Sequence, residues 1–255
     1  MAKDSMDDFY KKLDGLFAAG DISKVEEYLK EQAAFQTGAG RIPPLNELAS
    51  FYRNTGRFEE SEKYFEEALS ALREAGMAGT PQYTTVQINE ATLLRVMGRT
   101  EDSIRLFREA YDHADRQSYV YVSLINNMAL TCLETGDADE AETLLKEAMD
   151  WVAAHGAAPH ETGVTAVNLT SVYIRKGEWE KASDQVEAAI AAFDKQDKTD
   201  CHYASALAAR AAIRVHEGRI EEARRDYEQS MQLTERFFGK NHEYHMAKEA
   251  LKQLS

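Results

Sequence analysis

Side chains that offer both a hydrogen-bond donor and an acceptor recur in this chain at a fixed distance from a glycine. Counting nine residues back from Gly98, Gly136 and Gly177 gives Asn89, Asn127 and Asn168, while the same count from Gly56 and Gly218 gives Glu47 and Ala209. A carboxamide can engage the C=O and N–H of one peptide unit without demanding a particular side chain. A row of them is therefore chemistry for holding an extended backbone, at about 0.5–1.5 kcal/mol net per bond. Three such residues alone give weak affinity, so pockets for side chains must add to them. Polar neighbours cluster nearby: Asn46, Ser50, Arg53 and Asn54; Thr85, Thr92 and Arg95; Ser123, Asn126 and Glu134; Ser171 and Arg175. Arg53, Arg95 and Arg175 would form a basic strip suited to a carboxylate or an acidic peptide. The competing reading is that these asparagines bond only a neighbouring helix or water.

Other reactive side chains do not assemble into a pattern. His242 and His245 are three apart, a spacing that shares a helix face. No HExxH and no nearby Cys or Asp cluster accompanies them, and a structural zinc site wants four ligands. No metal and no cofactor is expected. There is no glycine-rich phosphate loop and no nucleophile elbow. Cys201 and His202 are adjacent, which does not by itself create catalytic geometry. An enzyme is thus the least supported class. Trp179 reads as core, whereas Trp151, Tyr119 and Tyr121 suit either packing or an interface. His155 and His160 flank a proline loop and are expected to be exposed. Cys132 falls within a helical pattern and Cys201 in a loop, which gives no disulfide framework and points to a reducing compartment.

The elements that must carry the asparagines are marked by the glycines. Gly20, Gly56, Gly98, Gly136, Gly177 and Gly218 each end a run with apolar spacing of three and four. Five residues later comes a small or β-branched residue: Val25, Ser61, Ser103, Ala141, Ala182 and Ala223. Twelve residues later come Ala68, Ala110, Ala148, Ala189 and Ser230, with Gln32 the exception. Seven residues before, Ala49, Ala91, Ala129, Thr170 and Ala211 repeat the pattern. Small residues at these points let two helices approach closely. The stretch from Val122 to Met149 states the unit in full. Helix pairs are predicted over 7–35 (degenerate), 44–76, 83–116, 119–155, 161–195 and 202–238, with a single capping helix over 241–254 whose outer face is polar.

This phasing resembles the tetratricopeptide repeat, a helix-turn-helix unit. Large apolar residues stand before the turn (Tyr52, Leu94, Cys132, Tyr173) and after it (Phe65, Phe107, Leu145, Tyr227). Arg214 departs from the first position and Val186 matches the second weakly. The last five glycines are 42, 38, 41 and 41 residues apart, longer than the usual repeat of about 34. These long units are similar to those of kinesin light chains, and LTERFFGKNHEYHMAKEAL looks like their inter-repeat linker. The resemblance implies an all-α fold: a right-handed superhelix (solenoid) of about six helix pairs plus the cap, with the first helix of each pair lining a concave groove. It also implies that Asn89, Asn127 and Asn168, flanked by Asn46, Asn126, Arg53, Arg95 and Arg175, form an asparagine ladder for a peptide. Chaperone-binding members use a basic clamp for a C-terminal carboxylate; Val164 and Asn168 stand where its basic pair would be, so that clamp is not supported. The expected function is an interaction scaffold binding an extended peptide or protein segment. The alternatives are a peptide-responsive regulator acting through a separate effector and a self-assembling protomer.

Composition limits the partners. The 255 residues carry a formal charge of -14, which argues against nucleic acid, because that affinity comes from neutralising phosphates. The N-terminal stretch reads as an amphipathic helix rather than a signal peptide, and no apolar run approaches the roughly 20 residues of a membrane span. The expectation is a cytoplasmic, single-solenoid protein with a protein or peptide ligand and no membrane partner, homo-oligomerisation being left open.

Overall fold

In the computed structural model, which describes residues 6–156, 159–195 and 201–254, helices alternate with short turns. The pairs are α1 (Met6–Ala19) with α2 (Ile22–Phe35), α3 (Ile42–Asn54) with α4 (Phe58–Glu74), and α5 (Pro81–Val96) with α6 (Thr100–His113). They continue as α7 (Tyr119–Thr135) with α8 (Ala138–Ala154), α9 (Pro159–Lys176) with α10 (Trp179–Asp194), and α11 (Cys201–His216) with α12 (Ile220–Phe238). A last helix, α13 (His242–Gln253), follows alone, and no strand occurs among the described residues. Cys201, expected in a loop, opens α11. Pro43 and Pro44 start α3 rather than interrupting it, since an N-terminal turn does not need their missing N–H groups.

The turn between partners is closed by glycine. Gly136 takes φ 93° at the end of α7, a left-handed conformation that costs a residue with a Cβ. The Asp137 carboxylate then accepts from the Glu140 N–H at 3.0 Å and caps α8. This sharp reversal brings the two helices together at the small positions. Ala49, Ala91, Ala129, Thr170 and Ala211 on first helices are fully enclosed, as are Ser61, Ser103, Ala141, Ala182 and Ala223 on second helices. The pairing is direct: the Ser61 hydroxyl donates to the Ala49 carbonyl at 2.8 Å, and the Ser103 hydroxyl to the Ala91 carbonyl at 2.7 Å. Above this crossing, Phe65, Phe107, Leu145 and Val186 form a column of enclosed apolar side chains.

Stacking of pairs decides which face is inner. α3, α5, α7 and α9 each touch the next first helix in the series, while successive second helices from α4 to α10 do not pack together to the same extent. The first helices therefore form the short, inner side of the curve and the second helices its splayed outer side. The apolar core follows the same path, one part spanning α1 to α5 and the other α5 to α11.

The sixth pair is built differently. Its core stripe on α12 is Ala223, Asp226, Ser230, Thr234 and Phe237. Arg210 grips Asp226 through Nε at 2.8 Å and Nη2 at 2.9 Å, and Arg214 reaches it at 2.6 Å. Arg214, which breaks the aromatic pattern, thus replaces apolar packing with a buried ion pair. Removal of one partner of such a group is costly because it strands the other charge.

The chain ends meet. The Arg236 guanidinium donates to the Ala18 carbonyl, and the Asn241 carboxamide donates to the Asn54 carbonyl at 2.9 Å. Gly239 lies against Ile22 and Gly20 against Arg236, so the C-terminal edge of the sixth pair abuts the turns of the first two.

Two helical glycines separate helix propensity from packing. Glycine inside a helix costs about 0.8–1 kcal/mol relative to alanine. A Cβ on Gly15 would meet nothing within 4 Å, whereas one on Gly163 would lie 2.7 Å from the enclosed Phe193 ring. Gly15→Ala is expected to stabilise by about 0.5–1 kcal/mol, and Gly163→Ala to destabilise despite the same propensity gain. Urea unfolding followed by circular dichroism checks both.

Candidate functional site on the inner helical face

The polar residues of the first helices form a line of hydrogen bonds that crosses from helix to helix. The Asn89 Nδ2 donates to Asn46 Oδ1 at 2.9 Å, joining α5 to α3. The Thr92 hydroxyl donates to Asn127 Oδ1 at 3.3 Å, joining α5 to α7. The Asn168 Nδ2 donates to Asn126 Oδ1 at 2.8 Å, joining α9 to α7. Asn126 in turn donates to the Thr165 hydroxyl at 3.0 Å and to the Val122 carbonyl at 2.9 Å, using both its N–H groups. The two adjacent asparagines of α7 thus face opposite neighbours: Asn127 towards α5, Asn126 towards α9.

Burial divides the set. Asn46, Asn126 and Asn168 are buried, while Asn89 and Asn127 are half-buried. Asn127 spends one N–H on the Ser123 carbonyl at 2.9 Å. Asn89 makes one side-chain bond among the described residues, which leaves its Oδ1 and one N–H open to the inner face. Burial and hydrogen bonding are therefore shared unequally along the line, a distinction that the identical spacing in sequence conceals.

The three arginines do not form a uniform strip. Arg53 donates to the Asn89 carbonyl at 3.2 Å and to Asn54 Oδ1 at 3.2 Å. Arg95 pairs with Glu134 of the next first helix at 2.5 Å. Arg175 is exposed and has no ion pair among the described residues. At the opposite end, burial pushes the Glu47 carboxyl up, aided by Asp14 of α1 and opposed by a hydrogen bond from Asn46 and the charge of Arg53. Burial and the Glu47 charge together push the Tyr10 phenol up to about 12.

Beyond α9 the polar line stops at Ala209 and a cavity of about 720 Å³ begins. Ala208 and Ala209 of α11, Ser230 of α12 and Ala247 and Ala250 of α13 line it, with Ser171, Ile174 and Arg175 of α9 at its edge. Sequence reasoning placed Ser171 and Arg175 on the groove but did not single out Ala208, Ala247 or Ala250, because isolated alanines carry no signature of a cavity.

Other singled-out residues make contacts within the helical array. The Trp151 indole N–H donates to the Arg116 carbonyl at 2.7 Å, and its ring stacks on His155 with centroids 4.0 Å apart. His160, expected to be exposed, is half-buried against the Phe193 and His202 rings. Trp179 packs at the edge of the core and stacks on His216 at 3.9 Å. Tyr121 is buried and donates to Glu147 at 2.5 Å, while Tyr119 is exposed beside Trp151. Burial pushes the Cys132 thiol up to about 12, far from a reactive thiolate. Among the described residues no group of three or more His, Cys, Asp or Glu is placed to hold a metal, and no helix is long and apolar enough to cross a membrane.

Paired helices stacked in series around an inner face define an α–α repeat solenoid. Tetratricopeptide repeat models match residues 42–116, 121–195 and 204–244, and the chain belongs to the tetratricopeptide repeat family. A TPR repeat-containing protein, YpiA of Bacillus subtilis, is 21% identical over 217 residues, covering 74% of this chain and 48% of its own length. The chain thus spans about half of that relative. Among solved structures, NprR in complex with its cognate peptide NprX superposes with a TM-score of 0.66 at 17% identity, covering 99% of this chain and 75% of NprR. The kinesin light chain TPR-like repeats of Podosopora anserina give a TM-score of 0.55 at 16% identity, covering 78% of this chain and 97% of theirs. The right-handed superhelical fold and its long, kinesin light chain-like repeats agree with the expectation.

Two substitutions test the division of labour. Asn126→Ala strands buried Thr165 and Asn168 and is expected to cost about 1–3 kcal/mol; Asn127→Ala, at a half-exposed site, should cost less, as read by thermal unfolding. Glu47→Gln tests the raised carboxyl. Its folded state holds the proton more tightly than an unfolded chain with the ordinary value of 4.5. The parent therefore loses stability as pH rises above 4.5. Glu47→Gln should be the more stable protein at pH 7, with the gap closing below the ordinary carboxylate range.

Proposed function

We propose that the chain is a scaffold that binds an extended peptide or protein segment along its inner face. The observation carrying this reading is the polar line from α3 to α9, in which half-exposed Asn89 and Asn127 keep hydrogen-bonding capacity beyond their helix-to-helix bonds. In this reading Asn89 and Asn127 meet the ligand backbone. Asn46, Asn126 and Asn168 fix the rotamers of the row from behind, and Arg53 and Arg95 are held in place by their own partners. Arg175 is the cation left to a ligand. The likeness in fold to NprR, solved with its cognate peptide, supports the same choice of ligand class. A scaffold of this kind acts by occupancy and needs no catalytic group.

Affinity selection from a random peptide display pool tests the reading, with parent protein compared against the Asn89→Ala/Asn127→Ala double variant after circular dichroism shows equal helicity. Peptides retained by the parent should weaken by about tenfold or more in the variant, the loss of two to three net hydrogen bonds. Equal binding by both proteins, or no enrichment, removes the inner-face assignment and directs attention to self-association, measured by light scattering.

A further inference from the structure

The inner wall is regular from α3 to α11, each first helix resting on the next. α13 follows α12 in chain order as a seventh first helix would, yet it packs on α12 and makes no comparable contact with α11. The cavity of about 720 Å³ lies in this gap, and Ala208, Ala209, Ala247 and Ala250 keep its walls short. Such a volume lies within the usual range of small-molecule sites, roughly 300–1,000 Å³. Met246, on the apolar stripe of α13, lines the same gap and is 60% exposed, so an apolar wall stands uncovered.

The α12 side of the gap departs from the repeat in its chemistry. Nine and twelve residues after the turn glycine, the second to fifth pairs carry an enclosed apolar residue, such as Phe107, and then Ala68, Ala110, Ala148 or Ala189. α12 carries Tyr227 and Ser230 at these positions, and both line the cavity. Ser230 is only 4% exposed, yet its hydroxyl makes no hydrogen bond among the described residues; the Thr234 hydroxyl donates to its backbone carbonyl. The Tyr227 phenol has no partner among them either, unlike those of Tyr52, Tyr121 and Tyr173, which donate to Glu26, Glu147 and Glu142. Burial alone pushes the Tyr227 phenol up, so it stays a neutral donor. Residues three apart share a helix face. Two hydroxyls withdrawn from water on one face lose hydration without return until a partner arrives. Arg175 and Glu243, the charged residues of the lining, are opposite in sign, so the cavity offers no net charge to an ion.

We propose that the gap between α11 and α13 is a binding site for an uncharged, largely apolar small molecule bearing a hydroxyl or carbonyl group, whose polar group meets Ser230 and Tyr227 while its apolar body covers the alanine walls and Met246. A hydroxyl both donates and accepts, so the pair takes either group. The site uses none of the asparagines and is independent of the peptide reading. It explains why the sixth pair gives up apolar packing at two positions where the other pairs keep it.

The test measures binding of four probes to the full chain by equilibrium dialysis at pH 7. These are 2-naphthol, 2-methylnaphthalene, 2-naphthoate and 2-naphthylmethylammonium, which share one apolar body and differ in the polar group. The parent should bind 2-naphthol more tightly than either ion. Ser230→Ala restores the alanine of the other pairs and Tyr227→Phe keeps the ring, so both variants should fold, as circular dichroism checks. Each should weaken 2-naphthol by about threefold to tenfold and leave 2-methylnaphthalene unchanged. Ala209→Leu should weaken every probe by filling the gap, whereas Asn89→Ala/Asn127→Ala should alter none of them. The proposal is overturned if no probe binds, if an ion binds most tightly, or if the two hydroxyl variants behave as the parent. Binding that survives Ala209→Leu lies elsewhere on the molecule and overturns it as well. A dimer in light scattering that Met246→Glu dissociates would show a second copy of the chain covering the gap, and would also overturn it.

Discussion

The closest approach of two helices, at a pair of small residues just either side of each turn, is the constraint on which the remaining architecture depends. Where Ser103 touches the Ala91 carbonyl, there is no room for a larger side chain. The crossing point fixes the distance and angle of each pair, and ridges of larger side chains then interlock above and below it. Because the second to fifth pairs cross at the same small positions, the column of Phe65, Phe107 and Leu145 lines up, and these pairs present similar apolar faces to one another. A repeat array is stabilised by just such neighbour-to-neighbour contacts. Curvature follows, because the first helices touch along the series and the second helices splay.

Once first helices are held side by side, polar groups between them must find partners or lose their hydration without return. The asparagine line is one answer to that requirement. Asn126 satisfies both N–H groups and its carbonyl within the wall. This rigidity is useful to a binding face, since side chains already fixed in one rotamer lose less entropy when a ligand arrives. The same bonds also limit how much each asparagine can offer. Spare hydrogen-bonding capacity is therefore left to the half-exposed members, while beyond Ala209 short side chains leave space instead of bonds.

The C-terminal part departs from the repeat in three linked ways. The sixth pair is held by Arg210, Arg214 and Asp226, α13 stands away from α11, and the end of α12 reaches back to the first two pairs. A buried, directional ion pair fixes one arrangement of α12 on α11 where a smooth apolar contact would tolerate several; such groups can serve specificity more than net stability. With α12 fixed, Arg236 and Asn241 are carried to carbonyls at the ends of α1 and α3. The closure thus depends on a local choice of polar residues within one repeat.

The sequence by itself determined the repeat. Glycines at left-handed turns, alanines at crossings and large apolar residues on either side are local requirements of a helical hairpin, so Gly136, Ala129 and Ala141 announce themselves through spacing alone. It also determined that Asn89, Asn127 and Asn168 occupy one structural position. Only the tertiary structure decided how each of them is bonded there, because burial and the neighbouring helix, rather than the residue's own position, set whether a carboxamide is enclosed against Asn126, as Asn168 is, or stays half-exposed, as Asn89 and Asn127 do. The pairing of Arg95 with Glu134 and the solitude of Arg175 have the same origin, since both depend on side chains 30 to 40 residues away in the chain. The cavity lay furthest from sequence reasoning. A void is made by what α11 and α13 fail to fill, and absence of contact between two helices has no residue to mark it.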